Sequence, residues 1–232
     1  AATMYEGGKL KADATSLKGG IEKYELSARA LKPDGTVDEA KAAITQTIQT
    51  SEEKFKDVEP YFELKGKDAY WIQITAYDRA GRTISAEEKL YMDSTIPGKP
   101  VLKAELQNDD KTEYPGGVIE NEQGEKIANW SNQDISITLS LSEEDEKELK
   151  SGIDRWEYIT SEEIKAWVDD GHKAEDITWK SLGKKTEADG SESKEAQSVF
   201  TTDSNKVSET GEYHFRAVSR ANIKGTEAVF NI

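Results

Sequence analysis

Apolar and polar residues alternate along several stretches of the chain. Tyr70, Ile72, Ile74 and Ala76 alternate with Trp71, Gln73 and Thr75, and Ile135, Ile137, Leu139 and Leu141 alternate with Ser136, Thr138 and Ser140. Nearer the end, Tyr213, Phe215 and Ala217 alternate with His214 and Arg216. A period of two places successive side chains on opposite faces of a pleated strand. Each stretch therefore predicts an antiparallel strand with one face on a core and the other in water. The same reasoning predicts burial of Ile21, Tyr24, Ile72, Ile74, Ile137, Leu139, Ile153, Trp156, Phe215 and Ala217.

Punctuation divides these strands into two groups. Asp93-Ser94-Thr95-Ile96-Pro97-Gly98-Lys99-Pro100 stops any strand and stiffens the connection, because proline cannot donate to a sheet ladder. The predicted domains are residues 1–96 and 97–232. The halves also repeat each other: Gly20-Ile21-Glu22-Lys23-Tyr24-Glu25 matches Gly152-Ile153-Asp154-Arg155-Trp156-Glu157, and Asp78-Arg79-Ala80-Gly81 matches Ser219-Arg220-Ala221-Asn222. The order is kept, with a loop-sized insertion in the second copy, which predicts two domains of one fold. After each Gly-Ile strand, Thr36-Val37-Asp38-Glu39 and Thr160-Ser161-Glu162-Glu163 read as capping boxes. They predict short helices over 37–44 and 161–169, the second ended by Gly171. Glu143 to Lys150 reads as a helical turn or a solvated loop.

Four of these segments carry a family resemblance. Tyr70-x-Ile72-x-Ile74-x-Ala76-x-Asp78-x-Ala80-Gly81-Arg82 resembles the closing strand and turn of bacterial immunoglobulin-like (Big, Ig-like fold) repeats of Gram-positive cell-surface proteins. Asp93 to Pro100 resembles the junction between such repeats, Ser151-Gly152-Ile153-Asp154-Arg155-Trp156-Glu157-Tyr158 their Gly-Ile strand, and Trp130-Ser131-Asn132-Gln133-Asp134-Ile135 the opening of their second strand. Ser219 and Asn222 depart from the family's aspartate and glycine, and both middle regions are longer than is usual. The resemblance implies an all-β chain of two tandem immunoglobulin-like or fibronectin-III-like β-sandwiches with short helical inserts. It carries over no catalytic residue. Comparison of the halves predicts that the first domain lacks its opening strand: only 20 residues precede Ile21, where Lys9 to Ala14 fill one strand and Ala1 to Tyr5 leave room for at most a stub. The chain starts in mid-pattern at Ala1, as a piece of a longer protein would.

Composition narrows the functions. Hydrophobic residues make up 35% and charged residues 33% of the 232, a balance suited to small cores with much surface. The net charge of −15 repels phosphate backbones and anionic membrane surfaces, so neither is an expected partner. No apolar run approaches the roughly 18 residues of a membrane helix. Cysteine is absent, which removes disulfides, thiolate metal sites and cysteine nucleophiles.

Candidate chemistry is sparse, and no catalytic, cofactor-binding or metal-binding residue is assigned. His172 and His214 have no metal spacing and read as surface residues. No Gly-x-Ser-x-Gly turn exposes a serine nucleophile. The pairs and runs Asp109-Asp110, Glu143-Glu144-Asp145 and Asp169-Asp170 lie among lysines and serines, as solvated charge does, whereas a glycosidase needs two carboxyls facing a cleft. No EF-hand spacing supports calcium. Trp156 aligns with Tyr24 at a core position, Trp167 is placed to pin the second helix to the sheet, and Trp71 faces away from the core. Lys103 and Asn231 sit on strands that some surface sandwiches join covalently, without an acid to assign. The chain is thus expected to be a non-enzymatic module of an exported bacterial cell-surface or cell-wall protein, a spacer or adhesion-related unit flanked by further Ig-like domains. The alternatives are a module binding host protein or glycan through the long inserts, at 29–60 and 160–195, and an accessory domain of a secreted carbohydrate-active enzyme.

Overall fold

The computed structural model describes residues 2–5, 9–12, 20–49, 61–64, 68–107, 110–129, 131, 133–202 and 210–232. The chain forms two compact units, Ala1–Ser94 and Thr95–Ile232.

Unit 1 contains β1 (Ala2–Tyr5), β2 (Lys9–Ala12), β3 (Ile21–Ala30), β4 (Ile44–Gln49), β5 (Tyr61–Glu63), β6 (Ala69–Asp78) and β7 (Thr83–Tyr91). They form two antiparallel sheets, ordered β1-β2-β5 and β4-β3-β6-β7. The inward positions of β3 and β6, among them Tyr24, Leu26, Ala28, Ile72, Ile74 and Ala76, pack with Phe62, Leu64 and Leu90 into one core. The alternation is why: residues two apart share a face, and burying an Ile or Leu side chain stabilises by about 1.5–3 kcal/mol.

Unit 2 repeats that plan. Its sandwich strands are β8 (Val101–Leu106), β11 (Ile135–Ser140), β12 (Ile153–Thr160), β13 (Lys180–Ser181), β16 (Val199–Thr201), β17 (Glu212–Ser219) and β18 (Ala228–Asn231). Their orders are β16-β11-β8 and β13-β12-β17-β18, so each strand has a counterpart in unit 1. Two hairpins, β9 (Val118–Glu120) with β10 (Lys126–Ala128) and β14 (Lys184–Thr186) with β15 (Glu192–Ala196), are additions. A three-stranded sheet on a four-stranded one, twice over, is an all-β architecture of the immunoglobulin and fibronectin-III kind. Trp156, Phe215, Ala217, Ile137 and Leu139 are buried in the unit 2 core. Ile21 and Ile153 are half-buried, because in both units the register slips after this residue, between Ile21 and Lys23 and between Ile153 and Arg155.

The repeated motifs fasten both sheets at the same corner. After β6, Asp78 Oδ1 accepts from the amides of Ala80 and Arg82, each at 2.9 Å, and Oδ2 from Arg82 Nε at 2.7 Å. Gly81 takes φ +77° to close the turn. After β17, Ser219 Oγ accepts from Ile223 N at 3.2 Å, and Asn222, a non-glycine residue that tolerates the left-handed region, takes φ 59°. The amide of Arg79 reaches the carbonyl of Gly20 (3.4 Å), and that of Arg220 the carbonyl of Gly152 (3.1 Å). The Gly-Ile and turn motifs therefore recur because they touch.

Four segments refine or correct the sequence picture. Helix α2 (Ser161–Asp169) has the full capping box, with Glu163 N donating to Thr160 Oγ1 and Thr160 N to Glu163 Oε2. Gly171 N donates to Val168 O and His172 N to Trp167 O, which ends the helix as expected. Helix α1 (Glu143–Glu148) is capped by Ser142. The helix predicted over 37–44 does not form: Thr36 donates from both N and Oγ1 to Asp34 Oδ1, closing a turn instead of a cap, and the β-branched run from Ile44 builds β4. Where the pattern left room for a stub ahead of β2, β1 pairs with β2 from Ala2↔Ala12 to Tyr5↔Lys9.

The proline segment is integral to unit 2. Pro97 is fully buried, and its carbonyl accepts from Thr226 N at 3.0 Å. Gly225 fits there because a Cβ would lie 2.9 Å from Ala217 O and Pro97 O.

Candidate functional site

Both units carry their polar chemistry on the outer face of the four-stranded sheet. In unit 2 that face is covered. The register sets Glu157 opposite Arg216 and Ile159 opposite His214. Arg216 donates from Nε and Nη2 to Glu157 Oε2 at 2.9 and 2.8 Å, and Arg155 Nε donates to Oε1 at 2.7 Å. The ring of Trp179, on the insert leading into β13, lies 3.9 Å from the Arg216 guanidinium, and Glu157, Arg216 and Trp179 are all buried. An arginine held over an indole, with two of its donors on one carboxylate oxygen, is stabilised from its π-face and by charge-assisted hydrogen bonds. The network continues through Asp154, which pairs with Arg155 at 3.1 Å and Lys184 at 2.8 Å. Burial pushes the Asp154 carboxyl up, but the two cations outweigh it and hold the carboxyl below its ordinary value. Alternation alone assigns Arg216 and Glu157 to solvent; the insert carrying Trp179 is what buries them.

One rung away, Ser161 Oγ lies 2.8 Å from His214 Nε2, and Glu227 Oε2 lies 3.2 Å from Nδ1. These are the spacings of a serine-histidine-carboxylate triad. A fourth group changes the chemistry: Ser161 Oγ donates to Glu212 Oε1 at 2.6 Å. The hydroxyl has one proton, and it is directed at Glu212 and not at the imidazole. A general base must instead offer Nε2 as an acceptor to that proton. The arrangement is a clamp joining the first residue of α2 to β17 and to the segment before β18. His214 is largely covered, with a side-chain exposure of 16%, which corrects its reading as a surface residue; the partners of Ser161 lie far along the chain, where sequence spacing does not reveal them. Below the clamp, Glu163 pairs with Lys180. Burial pushes the Glu163 carboxyl up, and Lys180 with the Thr160 cap bonds brings it below its ordinary value.

In unit 1 no described residue covers the corresponding face. Across β4-β3-β6-β7 one rung reads Thr45, Ser27, Gln73, Glu87, and the next Thr47, Glu25, Thr75, Ser85. Between them lies a trough of about 390 Å³. Tyr77 lines the trough, and Trp71 stands one rung beyond Gln73; at about 3.3 Å per residue the two aromatics are roughly 20 Å apart. The charges have internal partners: Lys23 pairs with Glu25 at 2.7 Å, Tyr77 Oη donates to Glu25 at 2.7 Å, and Gln73 donates to Glu87 at 2.8 Å. The Lys23 and Tyr77 hydrogen bonds hold the Glu25 carboxyl below its ordinary value. Arg29 lies 5.9 Å from the Trp71 ring.

The remaining candidates are dispersed. Glu143, Glu144 and Asp145 occupy the first turn of α1, where negative charge is favoured by the helix dipole. Asp169 and Asp170 are exposed at the end of α2, and His172 is also exposed. Trp167 stacks on His172 and donates to Lys173 O, so it closes its own helix end. Lys103 pairs with Glu105 at 2.6 Å with 71% of its side chain exposed, not in the buried setting a bond to Asn231 requires. Asp109 and Trp130 lie outside the described residues. Among the described residues, no group of three or more histidine and acidic side chains is arranged to hold a metal ion. No helix among them is long and apolar enough to cross a membrane.

No protein-family model matches the chain, and no curated protein matches it in sequence. Among solved structures, the fibronectin(III)-like modules of Clostridium thermocellum CbhA are similar at 14% identity and a TM-score of 0.32, over 95% of this chain and 81% of that one. The sandwich assignment rests on the two strand orders.

Proposed function

We propose that the chain is a non-catalytic tandem Ig-like module of an exported bacterial cell-surface protein, and that it acts as a spacer. The duplicated strand order carries this reading: the same three-plus-four sandwich is used twice, with the connecting proline segment bonded into the second copy. Repetition of a rigid unit is how a chain gains length without a new site. The resemblance of Asp93–Pro100 and Ser151–Tyr158 to surface-repeat motifs supports the exported, Gram-positive setting. The clamp at His214 supports the non-catalytic part, since the Ser161 hydroxyl donates to Glu212 and not to the imidazole that would serve as its base. Single-molecule stretching of the whole chain tests the proposal. A spacer gives two discrete unfolding steps, one per sandwich; a single step, or unfolding under negligible load, overturns it.

A further inference from the structure

The two units differ most where their topology is the same. Relative to the β3–β6 and β12–β17 registers, Trp179 of unit 2 takes the place of Thr45, Ile159 that of Ser27, and Arg216 that of Thr75. Unit 2 fills its outer face with bulky side chains. Unit 1 places short hydroxyl side chains at the same points of the same sheet, and the trough is the volume they leave. Its floor is half-exposed at Ser27 and Thr75 and open at Thr45 and Thr47, and no described residue covers it.

We infer that this trough binds a linear, uncharged oligosaccharide. At about 390 Å³ it falls in the size range of ligand sites, roughly 300–1,000 Å³. Hydroxyls of Ser27, Thr45 and Thr47 each donate and accept, as the hydroxyls of a sugar chain do, and Thr75, bonded to Ser85 at 2.9 Å, keeps acceptor capacity beside them. Trp71, one rung beyond Gln73, offers ring surface against which the C–H faces of sugar rings can lie, while the Tyr77 ring is already faced by Lys23 Nζ at 4.3 Å. Charge decides between neutral and anionic chains. Lys23 and Glu87 are already engaged by Glu25 and Gln73, and Lys89 Nζ is bonded to the Gly35 carbonyl. Arg29, on the Trp71 rung, faces Glu39 at 3.8 Å, so each cation these strands turn to this face has a partner, and the net charge of −15 repels acidic polymers. An uncharged, hydroxyl-rich chain is what this surface complements.

The test uses the whole chain, with linear hexasaccharides of glucose, xylose, mannose and N-acetylglucosamine as neutral probes. A galacturonate hexasaccharide is the anionic comparator, and an extended neutral peptide the comparator for strand addition at β4. Amide NMR shifts and calorimetry are the readouts. The expected result is saturable binding of at least one neutral sugar at millimolar concentration or better, with shifts confined to Ser27, Thr45, Gln73, Thr75 and the Trp71 indole. Thr75→Arg rebuilds the unit 2 filling, with Glu25 as its acceptor, and should weaken binding roughly tenfold or more at an unchanged melting temperature. Ser27→Ile is the second filling variant, should the first disturb the fold. Absence of binding by every neutral probe, shifts mapping elsewhere, affinity unmoved by filling the trough, or tighter binding of the galacturonate or peptide overturns the inference. The spacer reading is decided separately, by its two unfolding steps.

Discussion

Arg216 and Glu157 face each other across β12 and β17, joined by two hydrogen bonds to one carboxylate oxygen and roofed by Trp179. The pair is unequal in its alternatives. Without Arg216, Glu157 still has Arg155 on its other oxygen. Without Glu157, Arg216 stays buried with its fork unmatched. Removing one member of a buried pair costs about 3–5 kcal/mol when the survivor is left uncompensated. Glu157→Ala is therefore expected to destabilise unit 2 by about 3 kcal/mol, and Arg216→Ala by distinctly less. Denaturant unfolding of the two single variants and the double variant checks this; equal losses would show that Arg155 does not support Glu157.

Asp78 supplies a pH-dependence to unit 1 alone. The amide of Arg82, together with its side chain and the Ala80 amide, holds the Asp78 carboxyl below its ordinary value of 3.8. A folded-state value below the unfolded one means stability that is complete above the unfolded value and lost as the pH falls through the folded one. Ser219 holds the same corner in unit 2 with a hydroxyl, which does not titrate there. As the pH falls below about 3.8, Asp78→Asn should remove part of the acid sensitivity of unit 1 and leave unit 2 unaffected. Unfolding followed from pH 6 downwards by NMR probes in each unit measures it, and an identical acid profile for wild type and variant counts against it.

Two glycines separate backbone strain from close packing. At Gly81 nothing lies near an added Cβ, so Gly81→Ala meets only the left-handed backbone, a cost of about 1–2 kcal/mol. At Gly225 an added Cβ lies 2.9 Å from two backbone oxygens that cannot swing away. Gly225→Ala should cost more than Gly81→Ala, about 3 kcal/mol at the upper end of overpacking penalties. Thermal unfolding ranks the two; the reverse order would mean that the Pro97 segment yields easily.

The sequence made the core legible because alternation needs only neighbours: Ile72, Ile74, Phe215 and Ala217 are where period two puts them. The turns at Asp78 and Ser219 were legible as a repeat, and α2 as a capping box, since each closes within four residues. Thr36-Val37-Asp38-Glu39 misled because an equally local competitor, Asp34, captures Thr36 first. The covered face of unit 2 was hidden, since Trp179 meets Arg216 only after a long insert folds back. The trough of unit 1 was hidden for a related reason: Ser27, Thr45 and Thr75 become neighbours only through the pairing of three strands.

The clamp at His214 yields the last prediction, that Ser161 is not a reactive nucleophile. Its distances to His214 and onward to Glu227 would suit a triad, so geometry alone does not decide. Proton count does: the hydroxyl donates to Glu212 at 2.6 Å, and transferring that proton to His214 would leave a negative Glu212 against a developing alkoxide, the reverse of the stabilisation catalysis needs. The clamp's role is to fix α2 on the sheet, beside the Thr160 cap whose removal typically costs about 1 kcal/mol. An activity-based fluorophosphonate should therefore leave the native chain unlabelled, and Ser161→Ala should loosen α2, seen as faster amide exchange over residues 161–169. Labelling of Ser161 in the folded protein, abolished by His214→Ala, would show instead that the proton goes to the imidazole and that this face is catalytic.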